Sequence, residues 1–175
     1  MIAIDVMGGD HAPIVVLQGA VAAAGKGVAV QLFGPEELII GWLTDHVPAW
    51  QQLPISVVPT YDVIGMDEDP VFAVRKKPGA SLVKAVESVA SGACKATLSA
   101  GNSGAMMAAS ALIIGRHAGI ERPAIAGYLP TKTGVALALD LGANTECRPH
   151  HLVQFAQLGS AHLREAKGIE QPRVG

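Results

Sequence analysis

Short apolar runs repeatedly give way to glycine-rich breaks and then to longer apolar segments, and this alternation restricts the fold more than any other feature. Met1–Asp5 reads as a short buried strand, and after a glycine pair an apolar helix is predicted from Pro13 to Lys26. The same order recurs where Lys95–Ser99 precedes a glycine-rich loop and an apolar helix over Ala105–His117. Parallel neighbouring strands need such crossovers, so the pattern predicts a mostly parallel sheet covered by helices on both faces.

The rest of the chain continues this pattern in a single predicted domain over residues 1–175 with a three-layer α/β/α architecture. Further strands are predicted at Val28–Phe33, Leu53–Pro59, Pro123–Leu129 and Val135–Leu139, and further helices at Pro35–Thr44, Val71–Lys77, Ala80–Ser91 and Pro149–Lys167. Tyr61–Pro70 is predicted to be a surface loop. Pro130–Gly134 is predicted to be a hairpin turn or a looser reversal, and residues 173–175 begin another strand.

Composition excludes several classes of protein. Hydrophobic residues make up 50% and charged residues 16%, against roughly 25% charged in an average protein, so a disordered chain is excluded. A net charge of −2 with 4% aromatic residues argues against nucleic-acid binding. The longest nearly apolar run, Ala105–Gly115, is shorter than the ~20 residues that cross a bilayer. Without a visible secretion signal, and with only Cys94 and Cys147, we expect a cytoplasmic protein without a metal site.

Three loops, each predicted to follow a strand of the same sheet, carry the candidate binding residues. They contain Gly8–Gly9, Gly101–Gly104 and Asp140–Asn144. Ligands of α/β sheets bind beyond the carboxyl ends of the strands, where backbone N–H groups attract anions. Neither of the first two loops matches the patterns of nucleoside-triphosphate or dinucleotide binding. An anion site is therefore predicted, with tight strand-to-helix turns as the alternative.

Several polar side chains near these loops have open interpretations. Asp5, Asp10 and Asp140 could cap helices, orient neighbours or hold a cation, and capping is favoured. His11 could donate to an anion, serve as a general acid or have a structural role. The basic run Arg75–Lys77, with Lys84, could bind phosphate, bind an acidic partner or form a solvated helix face. Cys147 is interpreted as an incidental thiol rather than an acyl acceptor.

The sequences of these loops resemble the phosphate acyltransferase family of bacterial phospholipid synthesis. The motifs that carry this resemblance are Ile4–Pro13 (IDVMGGDHAP), Ser99–Ala105 (SAGNSGA) and Leu139–Asn144 (LDLGAN). Intermediate stretches agree in the same order, among them Pro70–Lys77 (PVFAVRKK) and Leu152–Ala156 (LVQFA). The resemblance therefore covers the whole chain.

The resemblance implies transfer of a fatty acyl group from acyl carrier protein to inorganic phosphate, without a cofactor. The acyl phosphate product would serve a membrane glycerol-3-phosphate acyltransferase. It also implies a fold related to isopropylmalate dehydrogenase, a homodimer at full length, and loose association with the inner membrane face. Family subunits are about twice this length, so we expect either a fragment or a truncated gene. Such a chain could be a catalytically impaired half that binds only phosphate or carrier.

Phosphate is already anionic at neutral pH, so the site needs to position it and to stabilise the oxyanion that forms on attack. Asn102 is the predicted main donor, His11 a candidate for protonating the leaving thiolate, and Lys77 a charge partner. The other predicted binding residues are Asp5, Gly8, Gly9, Asp10, Lys76, Ser99, Gly101, Ser103, Gly104, Asp140 and Asn144. A metal-dependent hydroxy-acid dehydrogenase, using the three aspartates, is the alternative from another reaction class.

Overall fold

The structure is a computed structural model that describes residues 1–132 and 134–175. The chain divides into two compact units, Met1–Gly115 and Arg116–Gly175. The expectation of a single domain stays a prediction.

A four-stranded parallel sheet forms the centre of the first unit. Its strands are β1 (Ile2–Asp5), β2 (Val30–Gly34), β3 (Ile55–Pro59) and β4 (Ala96–Leu98). The spatial order is β3-β2-β1-β4, and each neighbouring pair is parallel. The prediction of an α/β fold is therefore confirmed, and the carboxyl ends of β1 and β4 lie side by side.

Helices connect and flank these strands. They are α1 (Ile14–Ala24), α2 (Glu36–His46), α3 (Pro70–Lys76), α4 (Ser81–Ala90) and α5 (Ser103–Ala109). The helix predicted as far as His117 changes to a π-helical turn at Ser110–Ile114 and stops at Gly115, whose φ is +92°. In the ranges that the structure describes, no helix combines the length and hydropathy needed to cross a membrane.

Alternating residues of β1 pack into different layers. Ile4 belongs to a core with Leu17 of α1 and Ile39 of α2, whereas Ala3 packs with Ala85 of α4. This alternation follows from the two-residue period of a strand. A third core, formed by α3, α4 and α5, covers the outer side of α4. The first unit is thus consistent with a three-layer α/β/α arrangement, and Asp5 lies on the α4 side of the sheet.

The second unit contains a hairpin and a long helix. Strands β5 (Gly127–Thr131) and β6 (Gly134–Ala138) are antiparallel, and helix α6 spans Pro149–Lys167. The hairpin alternative for this reversal is thus confirmed, although Thr133 of the predicted turn lies outside the described residues. Placing all three candidate loops on one sheet was wrong, because β6 belongs to the separate two-stranded sheet. Residues 173–175 do not form the predicted strand.

Candidate functional site

A buried carboxylate organises the edge of the parallel sheet. Asp5 ends β1 with only 2% of its surface exposed. Its Oδ1 accepts the Ser81 hydroxyl proton at 2.6 Å and the Met7 N–H at 3.2 Å, while Oδ2 accepts the Ser99 hydroxyl proton at 2.7 Å. The carboxylate therefore links β1, the start of α4 and the loop after β4. Helix capping, the favoured interpretation of Asp5, is wrong, because two of its three donors are hydroxyls of separate segments.

The first two glycine loops are in direct contact. A Cβ atom on Gly8 would lie 2.5 Å from Asp5 Oδ2, 2.6 Å from Ser99 Oγ and 2.8 Å from Gly101 N. Gly9 has a φ of +106°, and a Cβ there would lie 2.9 Å from the carbonyl oxygen of Ala100. Any side chain at these two positions would collide with the neighbouring loop, so glycine is required for the loops to meet.

Some donors predicted to bind an anion are used inside the protein. The Gly101 N–H donates to Ser99 Oγ at 3.0 Å. By contrast, within residues 1–132 and 134–175 the N–H groups of Gly8 and Gly9 have no hydrogen-bond acceptor. We call such N–H groups, which have no acceptor among the described residues, open donors; in the first loop they are those of Gly8 and Gly9 and also those of Asp10 and His11.

Asn102 joins helix α5 to the loop before α3. Its side-chain oxygen accepts the Ala105 N–H at 3.0 Å, so it is the N-terminal cap of α5. Its amide nitrogen lies 3.1–3.3 Å from the carbonyl oxygens of Gly65, Met66 and Glu68. The side chain is 7% exposed, so this geometry favours a positioning role. Direct donation from Asn102 to phosphate stays a prediction.

Lys77 is tied to the same loop. Its Nζ donates to Glu68 Oε1 at 2.6 Å and to the Val63 carbonyl oxygen at 2.8 Å. The hydrogen bond from Lys77 lowers the pKa of the Glu68 carboxyl below its ordinary value, and the Gly65 N–H lowers it further. The charge of Lys77 is therefore matched by Glu68. Lys76 is exposed and lies 5.2 Å from the centroid of the Phe72 ring.

The remaining predicted residues of the first unit lie at its surface or at a helix contact. Asp10, His11 and Ser103 are exposed. Gly104 lies against the first residue of α3, because a Cβ there would be 2.7 Å from Pro70 Cγ. Asp10 and His11 therefore have access to a ligand from solvent, whereas Gly104 allows two short helices to approach each other.

In the second unit, Asp140 and Asn144 form a network of their own. Asp140 Oδ1 accepts the Ile125 N–H at 2.8 Å, and Oδ2 accepts from Asn144 N and Nδ2 at 2.7 and 2.9 Å. Asn144 Nδ2 also donates to the Pro123 carbonyl oxygen at 2.9 Å. Burial raises the pKa of Asp140, but hydrogen bonds from Asn144, Ile125 and Ala143 outweigh burial and lower the pKa overall. The pair thereby fixes its own loop.

One side-chain cluster of the second unit has the ligand types of a metal site. Within the part of the chain that the structure describes, Glu121, His150 and His151 bring three potential ligand atoms within 4.8 Å of one another. His151 Nδ1 accepts the Arg148 N–H, so the neutral ring carries its proton on Nε2, which faces Glu121 Oε2 at 3.2 Å. A metal ion on Nε2 would have to displace that proton. In the observed arrangement, the hydrogen bonds of His151 therefore connect Glu121 to the start of α6.

The sequence interpretation missed two residues of this region. Ser81 is 1% exposed and binds Asp5, and Glu68 holds both Lys77 and the Gly65 N–H. A hydroxyl residue at the start of a predicted helix is a recognisable signal for Ser81. Its partner, Asp5, lies 76 positions earlier in the chain, and no local sequence pattern indicates a contact between two residues so far apart.

Comparison with known proteins agrees with the resemblance of the loops. The model of the fatty acid synthesis protein family matches residues 1–175. A phosphate acyltransferase of Anaeromyxobacter sp. (strain K) is 48% identical over 173 residues, which cover 99% of this chain and 48% of that protein. The phosphate acyltransferase of Desulforamulus reducens is 46% identical over 99% of this chain and 52% of its own length. That of Geobacter sulfurreducens is 45% identical over 99% of this chain and 50% of its own length. The chain spans about half the length of the curated relatives it matches. Because the family model matches from the first residue to the last, the chain belongs to the fatty acid synthesis protein family.

Proposed function

We propose that this chain takes part in transferring a fatty acyl group from acyl carrier protein to inorganic phosphate. The observation that carries the proposal is the identity of 48% with a phosphate acyltransferase over nearly the whole chain, which includes both glycine loops in contact at Asp5. The product, an acyl phosphate, would serve a membrane glycerol-3-phosphate acyltransferase. We further propose a homodimer that works in the cytoplasm in loose contact with the inner membrane face.

In the proposed reaction, phosphate itself is the nucleophile. A phosphate oxygen attacks the thioester carbonyl carbon and forms the new C–O bond of a tetrahedral oxyanion. Collapse of that oxyanion breaks the C–S bond, and the carrier leaves as a thiolate that takes up one proton. The chain therefore needs to hold two reactants together and to donate hydrogen bonds to negatively charged oxygens.

The open N–H groups of Gly8 and Gly9 are the donors that we assign to phosphate. Neutral backbone donors suit an anion without requiring a charged group, and the glycine loop lets them approach the ligand closely. The hydroxyl of the exposed residue Ser103 can add a donor, and the exposed His11 can supply the proton that the thiolate takes up. Asn102 and Lys77 hold the neighbouring loop in this proposal.

Amide NMR of the 175-residue chain titrated with inorganic phosphate tests the binding step. We expect saturable shifts at Gly8 and Gly9, and no comparable shifts on titration with chloride at equal ionic strength. If His11→Gln abolished these shifts, His11 would be needed for phosphate binding as well. That result would contradict a role limited to protonating the leaving thiolate. Phosphate shifts confined to other residues would refute the proposed site.

The chemical step is tested with acyl carrier protein thioester and phosphate, by trapping acyl phosphate with hydroxylamine. The full-length relative from Anaeromyxobacter sp. (strain K) is the positive control, and we expect little or no product from the 175-residue chain alone. In a full-length enzyme that contains this chain, we expect Asn102→Ala to reduce turnover. Direct donation of this side chain to the oxyanion predicts a loss of about 3 kcal/mol of barrier stabilisation. Wild-type turnover in that variant would exclude both a donating and a positioning role.

A further inference from the structure

Ser81 occupies a position that connects the parallel sheet to the site through a buried carboxylate. It is the first residue of α4 and is 1% exposed. Its backbone N–H donates to the Asp62 carbonyl oxygen at 3.1 Å, and its hydroxyl donates to Asp5 Oδ1 at 2.6 Å. The short hydroxyl-to-carboxylate distance is typical of a charge-assisted hydrogen bond.

The other oxygen of the Asp5 carboxylate is connected by hydrogen bonds to the second glycine loop. Asp5 Oδ2 accepts the Ser99 hydroxyl proton at 2.7 Å, and Ser99 Oγ in turn accepts the Gly101 N–H at 3.0 Å. The chain of contacts therefore runs from Ser81 through Asp5 and Ser99 to the backbone of Gly101. Both oxygens of Asp5 have a hydroxyl donor, so the orientation of the carboxylate depends on both serines.

The first glycine loop rests on the same atoms. The space for a Cβ on Gly8 is filled by Asp5 Oδ2, Ser99 Oγ and Gly101 N, all at 2.8 Å or less. A rotation of the carboxylate would therefore change its packing against Gly8, which carries one of the open N–H groups. Because buried side chains in close contact transmit displacements, the Ser81 hydroxyl can influence a donor that it does not touch.

We propose that Ser81 is a positioning residue of the phosphate site, acting through Asp5 and Ser99 on the two glycine loops. This inference rests on the proposed function, since it assigns phosphate to the N–H groups of Gly8 and Gly9. Ser81 does not contact phosphate in this assignment. Its hydroxyl fixes the carboxylate against which the phosphate-binding loop packs.

Ser81→Ala tests the proposal, with Ser88→Ala as the matched control in the same helix. The Ser88 hydroxyl donates to the Ala85 carbonyl oxygen at 2.7 Å, so its loss removes a hydroxyl of α4 without touching Asp5. We expect Ser81→Ala to weaken the dissociation constant for inorganic phosphate about tenfold, as measured by NMR titration, and to shift the Gly101 amide resonance. Ser88→Ala should leave both unchanged.

Ser81→Thr keeps the hydroxyl and provides the rescue variant. It should recover phosphate affinity and the Gly101 resonance, and the fluorescence of Trp42 and Trp50 reports whether each variant is folded. If Ser81→Ala unfolds the unit, Asp5→Asn replaces it, because that change keeps the side-chain shape while turning one acceptor into a donor.

The possible results distinguish a failure of the proposed function from a failure of the positioning role of Ser81 alone. A wild-type chain that binds no phosphate refutes the proposed function and, with it, the positioning role. Wild-type binding that Ser81→Ala leaves within twofold refutes the positioning role alone. An equal loss in Ser88→Ala also refutes it, because the effect would then come from general loosening of α4.

Discussion

Replacement of Gly8 by alanine is the sharpest test of how the two glycine loops meet. The new methyl group would lie 2.5 Å from Asp5 Oδ2, 2.6 Å from Ser99 Oγ and 2.8 Å from Gly101 N. Ordinary contacts to Cβ begin near 3.4 Å, so all three atoms would have to move by more than half an ångström. Two of them form the hydrogen bond between Ser99 and Asp5, and the third is backbone.

The expected cost follows from these contacts. Overpacking a well-packed interior typically costs about 1–3 kcal/mol. A hydrogen bond to a charged group contributes about 1.5–3 kcal/mol, and the methyl group would weaken the bond between Ser99 and Asp5. Since the loops can relax partly and these terms overlap, we expect a decrease of about 3 kcal/mol in the free energy of unfolding of the first unit.

Urea unfolding followed by tryptophan fluorescence measures this change. Trp42 and Trp50, the two tryptophans of the chain, both pack against the core of the first unit and so report on its unfolding. For a urea m-value of about 2 kcal/mol/M, the midpoint should fall by about 1.5 M. Gly19→Ala is the matched control, because its Cβ meets nothing within 4 Å in α1. Alanine there should stabilise by about 1 kcal/mol. Equal midpoints for Gly8→Ala and wild type would refute the packing argument.

Two further predictions concern other contacts of the candidate loops. Because the folded-state pKa of Asp140 lies below its unfolded value, the carboxylate stabilises the second unit above pH of about 4, and this contribution is lost as pH falls through the folded pKa. The N–H groups of Ile125 and Asn144 donate to Asp140, so their amide protection factors should fall over that pH range. In Asp140→Asn, these protection factors should already be lower at neutral pH and should change less with acid. Unchanged protection would contradict this. Gly104→Ala should destabilise the first unit by about 1–3 kcal/mol, because the new Cβ would lie 2.7 Å from Pro70 Cγ; a wild-type urea midpoint would contradict it.

The order of elements in the first unit could be predicted because short strand-forming runs alternate with glycine-rich loops and longer apolar helices. The predicted strand Val28–Phe33 is observed as Val30–Gly34, and Lys95–Ser99 as Ala96–Leu98. The second unit was predicted less well. The strand expected at Pro123–Leu129 begins at Gly127, since the Ile125 N–H donates to Asp140. That side-chain contact competes with a strand ladder and leaves no trace in hydrophobic periodicity.

Part of the candidate site could also be predicted, for a topological reason. Asp5 ends β1 and Ser99 directly follows the neighbouring parallel strand β4, so their side chains meet once the two strands pair. The role of Asn102 could not be read from the sequence, because one side-chain amide can equally bind a ligand or hold a loop. Only the positions of the carbonyl oxygens around its nitrogen distinguish these uses, and they belong to residues 34 to 37 positions earlier.

The donors at this sheet edge therefore fall into two groups with different consequences for binding. The Gly101 N–H, the Asn102 amide and the Lys77 ammonium are used within the chain, so a ligand could recruit them only by breaking an existing hydrogen bond. The open N–H groups of Gly8 and Gly9 carry no such cost. An anion that accepts from these two N–H groups therefore binds without breaking a hydrogen bond of the folded chain. Substitutions that remove a donor of the first group should consequently change the geometry of the site. An anion would accept hydrogen bonds directly from the second group.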